Sequence, residues 1–128
     1  GSQNTVLILG MSFKLGTPVI EESVGLKLVN NLLKKLPNIK IDAIDPKAKE
    51  NCENYFMGKI KVSSSITNEL NNSEIIVLIN NETDFIKKIY DLIPNKNITL
   101  IDCWRVLDAK KVDKNIELIQ WAKYRGEK

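Results

Sequence analysis

Two runs of this chain leave little freedom in the choice of fold. TVLILG at residues 5–10 and EIIVLI at residues 74–79 are short, rich in β-branched residues and apolar at nearly every position. A strand with one wet face alternates between apolar and polar residues. One that is apolar almost throughout needs cover on both faces, as in a parallel sheet held between helices. The stretches around these runs carry the period of helices. Residues 21–36 place Val24, Leu28, Leu32 and Leu36 in a row, with Leu26, Val29 and Leu33 beside it, and Pro37-Asn38 ends the pattern.

Residues 39–44 (IKIDAI) read as a second strand closed by Asp45-Pro46, and the polar stretch 47–59 as a short helix and a loop. Residues 60–62 give a brief strand, and Ser64 or Ser65 can cap a short helix through Leu70. A helix follows over 83–93 with Phe85, Ile86, Ile89 and Leu92 inward, broken by Pro94-Asn95. The remaining strands are 97–103 (NITLIDC) and 115–121 (NIELIQW). Strands alternating with helices make βαβ units. The expected fold is therefore α/β: a three-layer, Rossmann-like domain with a mainly parallel sheet flanked by helices. At 128 residues and 43% apolar composition the chain suits one domain with one core, taken as residues 3–128, with Gly1-Ser2 read as a cloning remnant.

In open α/β sheets, ligands bind beyond the carboxyl ends of the strands. Those ends carry Gly10 and its loop, Asp45, Asn80-Asn81, and Asp102 followed by Trp104-Arg105. The loop after the first strand, GMSFKLGT, lacks the spacing of a P-loop, and no G-x-G-x-x-G dinucleotide fingerprint follows the strand. Gly10 and Gly16 allow tight turns, Lys14 adds a mobile charge, and the loop runs into a helix N-terminus, where N–H groups and the dipole favour an anion. Glu21 and Glu22, read as part of the first helical turn, would satisfy that dipole internally. Two readings of the loop therefore stand on the residues alone: an anion site, phosphate included, or a self-capped helix start beside a solvated lysine.

Other chemistries have little to stand on. Histidine is absent, which removes His-based triads and His metal sites. The balance of 19 basic and 16 acidic side chains is too even, and too scattered, to point to nucleic acid. Two cysteines, Cys52 and Cys103, imply no disulfide framework and suit a reduced cytoplasm. Cys103 reads as a small core residue at the end of a strand, and Cys52 as incidental in a polar segment. No apolar run approaches the roughly 18 residues of a membrane span.

The order of motifs resembles one family. GMSFKLGTPVIEESVGLKLVNNLL is similar to the start of the C-terminal domain of UDP-glucose/GDP-mannose dehydrogenases, with Gly10, Phe13, Lys14, Thr17, Glu22 and Ser23 at the matching positions. IDAIDP, EIIVLINNETDF with Phe85, LIDCWRVLDAKKV and IELIQWAKYRG resemble the later strands of that domain. The sequence departs from the family where Pro18, Val19 and Glu21 replace an acidic–basic pairing. It departs again where Trp104 stands at a position often held by arginine, with Arg105 one residue later, and where Asn80-Asn81 replaces Thr-Glu.

The resemblance implies a nucleotide-sugar-binding domain, UDP- or GDP-linked, belonging to an enzyme that oxidises the sugar's C6 alcohol to a uronic acid. Phe13 and Lys14 would approach the nucleotide sugar. Trp104 and Arg105 would lie near the base, ribose or phosphates, either with Arg105 taking over the polar contact or with Trp104 stacking on the base. NAD would be the cofactor of the full-length enzyme, bound by a separate domain, with none held here. The family's catalytic cysteine motif is missing from this sequence, so the fragment alone is expected to be inactive. Expected partners are the nucleotide sugar, the enzyme's remaining domains and a second copy of the full-length chain. Neither nucleic acid nor a membrane is expected, and the setting is the cytoplasm of a cell making polysaccharide. The alternative is an independent α/β nucleotide-binding or interaction module.

Overall fold

A computed structural model describes residues 5–11, 23–64, 66 and 69–120. Six strands form a single sheet: β1 (Thr5–Leu9), β2 (Lys40–Ile44), β3 (Lys61–Ser63), β4 (Ile75–Leu78), β5 (Ile98–Asp102) and β6 (Ile116–Gln120). Their spatial order is β3-β2-β1-β4-β5-β6 and every pairing is parallel. The expected Rossmann-like α/β architecture is thus the observed one. The connections are α1 (Val24–Lys35), α2 (Lys49–Phe56), the single turn α3 (Glu69–Asn72) and α4 (Thr83–Asp91), with a 3-10 turn at Ala109–Lys111 before β6.

The apolar runs fall where sheets are wet least. Leu7, Ile8 and Leu9 of β1 are fully buried on consecutive positions, so both faces of that strand are covered. Val6 and Ile8 face α1 and α2, in a core with Leu26, Val29, Cys52, Phe56 and Val77. Leu7 and Leu9 face the other side, with Leu70, Phe85, Ile89, Leu100 and Leu107. Phe85, Ile89 and Leu92 of the α4 region are buried and Ile86 is packed against them, which is the inward face read from the sequence. Burying each such side chain contributes roughly 1.5–3 kcal/mol.

Two details correct the sequence reading. α1 begins at Val24, with Ser23 as its N-cap: the Leu26 N–H donates to the Ser23 hydroxyl at 2.9 Å. Glu21 and Glu22 therefore precede the helix, outside the described residues, and its first turn holds no acidic side chain. Cys52, in turn, is not incidental. Ala48, Cys52 and Phe56 recur at every fourth position, and all three are buried under α2.

Candidate functional site at the carboxyl edge of the sheet

The strand order reverses direction between β1 and β4, because β2 and β3 lie to one side of β1 and β4 to β6 to the other. Connections leave the two neighbouring strands toward opposite faces there, which opens a crevice at their carboxyl ends. Three of the strand exits that meet this edge, those of β1, β4 and β5, carry Gly10-Met11, Asn80-Asn81 and Cys103-Trp104-Arg105.

Gly10 is the tightest point of the crevice. Its φ of +108° suits glycine, and a Cβ there would lie 2.5 Å from both Cγ and Nδ2 of Asn80. Gly25, in the first turn of α1, makes a second close approach: a Cβ on it would stand 2.7 Å from the Gly10 carbonyl oxygen and 2.9 Å from Met11 Sδ. The two glycines let the helix start sit directly on the exit of β1. Met11, which follows Gly10 at the exit, donates its N–H to Asp45 Oδ2 at 2.8 Å.

Asp45 and Asp102 close the ends of β2 and β5 in the same manner. Besides Met11, Asp45 accepts from the Lys47 and Ala48 N–H groups at 2.9 and 3.0 Å. Although 34 residues separate them in the chain, the sheet brings Asp45 and Met11 into contact. Asp102, fully buried, accepts from the N–H groups of Trp104 (3.3 Å), Val106 (3.1 Å) and Leu107 (2.8 Å), and from Gln120 Nε2 (3.1 Å). Gathering three N–H groups from so short a segment bends the chain around the carboxylate. Arg105 takes the bend at φ 55°, a left-handed conformation unusual for arginine, and its side chain is exposed. Both aspartates are clasps saturated with donors, which leaves them little capacity to bind a ligand.

What the β5 loop presents outward is Trp104 and Arg105. Trp104 is 61% exposed although its indole N–H donates to the Ile79 carbonyl at the end of β4. An indole fixed by its nitrogen, with the ring still open, is a flat apolar platform suited to a heterocyclic base. Arg105 beside it offers a planar fork of donors suited to phosphate. Of the residues proposed from the sequence, Trp104 is held to the Ile79 carbonyl after β4 and Arg105 follows it, exposed, on the same loop; Phe13 and Lys14 lie outside the described residues.

Cys103 follows the last residue of β5 and is half-buried. It lines an apolar cleft of about 440 Å³ with Val24, Leu28, Val77, Ile79, Ile101 and Trp104. Burial, with Asp102 adding to it, pushes its thiol above the ordinary value, which is the opposite of what a nucleophile requires. Cys52 is pushed further, to about 12, by burial and by the charges of Asp45 and Glu53. A larger hollow of about 620 Å³ lies at the far end of α1, against Pro37, Tyr55 and Lys59, away from the strand carboxyl ends. No group of three or more acidic or cysteine side chains among the described residues could hold a metal ion. Nor is any helix among them long and apolar enough to cross a membrane.

Comparison with known proteins agrees with this geometry. Over 94% of its length the fold matches a solved structure described as a UDP-glucose dehydrogenase from the hyperthermophilic archaeon Pyrobaculum islandicum, with a TM-score of 0.69 and 19% identity. The chain spans about a quarter of that protein, 26% of its length. Comparison with curated proteins gives no match. Residues 7–109, which run from β1 into the turn before β6 and include the whole crevice, match the model of the UDP-glucose/GDP-mannose dehydrogenase family's UDP-binding domain, and the chain belongs to that family.

Proposed function

We propose that this chain is the nucleotide-sugar-binding domain of an NAD-dependent nucleotide-sugar 6-dehydrogenase, and that it works as one part of a longer polypeptide. The observation that carries the reading is the pairing, on one loop, of an anchored but open Trp104 ring with an outward Arg105, beside a glycine-lined switch point. Base on indole and phosphate on guanidinium is a division of labour that a nucleoside diphosphate matches end to end. Phe13 and Lys14, on the loop leaving β1, complete the proposed contact set. The share of the archaeal enzyme that the chain covers supports the view that further domains accompany it.

NAD does not suit the crevice. The loop after β1 lacks the three-glycine fingerprint, and Asp45, at the place where a ribose-binding acid would stand, is engaged with Met11, Lys47 and Ala48. The cofactor in this reading is held elsewhere in the full-length enzyme and supplies hydride acceptance there. The present chain binds and orients the nucleotide end of the donor, so that the sugar projects toward the catalytic part. It is inactive alone.

Titrating the 15N-labelled chain with UDP, GDP and NAD⁺ tests the proposal. UDP or GDP is expected to shift the Gly10, Asn80 and Trp104 amides and the Trp104 indole resonance at a dissociation constant near 1 mM, about −4 kcal/mol, since part of the site is missing. If NAD⁺ alone moves these resonances, the chain is a cofactor domain and the proposal fails.

A further inference from the structure

Among the described residues two side-chain atoms are sealed from solvent without a hydrogen-bond partner: Asp42 Oδ1, midway along β2, and Asn80 Oδ1. Only Asn80 stands at the carboxyl edge. A buried acceptor left unpaired costs stability, and proteins retain few of them without a reason. Asn80 follows β4, its carboxamide lies directly over Gly10, where a Cβ would stand 2.5 Å from Asn80 Cγ and Nδ2, and its neighbour Ile79 already has its carbonyl occupied by the Trp104 indole.

Resting on the nucleotide-binding reading above, we infer that Asn80 is a recognition residue whose carboxamide takes a ribose hydroxyl of the bound nucleotide. The chemistry narrows the partner. An unpaired acceptor needs a donor, and the phosphates of a nucleoside diphosphate offer almost only acceptors at neutral pH. Its donors are the ribose hydroxyls and the N–H groups of the base. Position then selects between them. Asn80 is one residue from the carbonyl that fixes the Trp104 ring, so a base lying on the indole places its sugar ring, next along the molecule, over the end of β4. A hydroxyl also matches the whole carboxamide, donating to Oδ1 while accepting from Nδ2. Rotation about χ2, a soft torsion for asparagine, brings Oδ1 out from its cover without moving the backbone. The cost of the orphan atom in the free protein is thereby linked to its use in the complex.

Calorimetric titration of the 128-residue chain with UDP, 2′-deoxy-UDP, 3′-deoxy-UDP and N3-methyl-UDP, together with thermal melting, separates the outcomes. In the unsubstituted chain one of the two deoxy analogues is expected to bind about tenfold more weakly than UDP, the size of one hydrogen bond. Asn80→Leu, and Asn80→Ala should the leucine variant not fold, are expected to weaken UDP by a similar factor and to abolish the deoxy discrimination. The free variant is expected to melt no lower than the parent, because the orphan acceptor is gone. Equal binding of all four ligands by the parent overturns the inference, and so does deoxy discrimination that survives in the variants. Loss confined to N3-methyl-UDP also overturns it, by assigning Asn80 to the base. Failure of the parent to bind UDP at all is a failure of the nucleotide-binding reading itself.

Discussion

The carboxylate of Asp102 lies 2.8 Å from the backbone nitrogen of Leu107, and this single contact across five residues closes the loop that carries Trp104 and Arg105. Because the same carboxylate also accepts from Trp104, Val106 and Gln120, the shape of the loop is set from below, by a side chain with no exposure of its own. Asp102→Ala strips four donors of their partner at once. Urea unfolding is expected to show a loss of about 3 kcal/mol, and Asp102→Asn a smaller loss, since one acceptor oxygen remains.

Arg105 separates binding from stability. Its φ of 55° is easier for glycine than for arginine, so Arg105→Gly relieves a backbone conformation worth about 1 kcal/mol while removing the guanidinium. The variant is expected to melt at or above the parent temperature and to bind UDP several-fold more weakly. In the full-length enzyme, Lys14→Ala and Arg105→Ala are each expected to raise the KM for nucleotide sugar and leave that for NAD⁺ unchanged. Wild-type nucleotide-sugar kinetics in both would remove these residues from the contact set.

Trp104 is expected to behave as a platform and not as core. At 61% exposure its truncation removes little buried surface. Trp104→Ala should weaken UDP by about 1–3 kcal/mol with the melting temperature almost unchanged, and Trp104→Phe should recover part of the affinity, because it keeps a ring but loses the anchor to Ile79. Calorimetry beside a melting curve reads both quantities.

Gly25→Ala reverses an ordinary rule. Inside a helix this exchange usually stabilises by up to about 1 kcal/mol. Here the new methyl would meet the Gly10 carbonyl oxygen at 2.7 Å and Met11 Sδ at 2.9 Å, forcing α1 away from the exit of β1. A net loss of about 1–3 kcal/mol on denaturation is expected, with chemical-shift changes concentrated at Gly10, Met11 and Ser23.

Alkaline stability should carry the mark of Cys52. Burial, with the charges of Asp45 and Glu53, pushes its folded thiol up to about 12 from the ordinary value of about 9. A raised folded pKa gives stability that is complete below the unfolded value and is lost as pH climbs toward the folded one. Between about pH 9 and pH 12 the unfolded thiol releases its proton while the folded one holds it, so unfolding becomes easier. Subtracting the pH profile of Cys52→Ala from that of the parent isolates this term. A difference that stays flat across the window would show that the thiol ionises equally in both states.

How much of this was legible in the sequence depended on whether the signal was local. The unbroken apolar character of residues 74–79 reports a strand covered on both faces, and β4 lies at Ile75–Leu78. The start of α1 is three residues later than the period of 21–36 implies: Glu21 and Glu22 suit a first helical turn, but Ser23, whose hydroxyl accepts from the Leu26 N–H, is the boundary signal. The buried stripe of Ala48, Cys52 and Phe56 was present in the spacing but hidden among the polar residues around it. Trp104 and Arg105 are legible from their place after a strand. The convergence of three N–H groups on Asp102, the contact of Asp45 with Met11, and the sealed oxygen of Asn80 arise only when distant strand ends are set side by side, and no window of sequence contains them.

The central place of β1 also governs how the chain acquires its structure during synthesis. β1 precedes the other five strands in the chain, yet it pairs on one side with β2 and on the other with β4, where Val6 stands opposite Ile75. Until β4 and α4 emerge, Leu7 and Leu9 have no Phe85 or Ile89 to cover them, and one edge of β1 offers unpaired backbone groups to any strand nearby. A half-sheet of β1, β2 and β3 thus carries an unpaired edge and an uncovered apolar face until β4 and α4 dock on it.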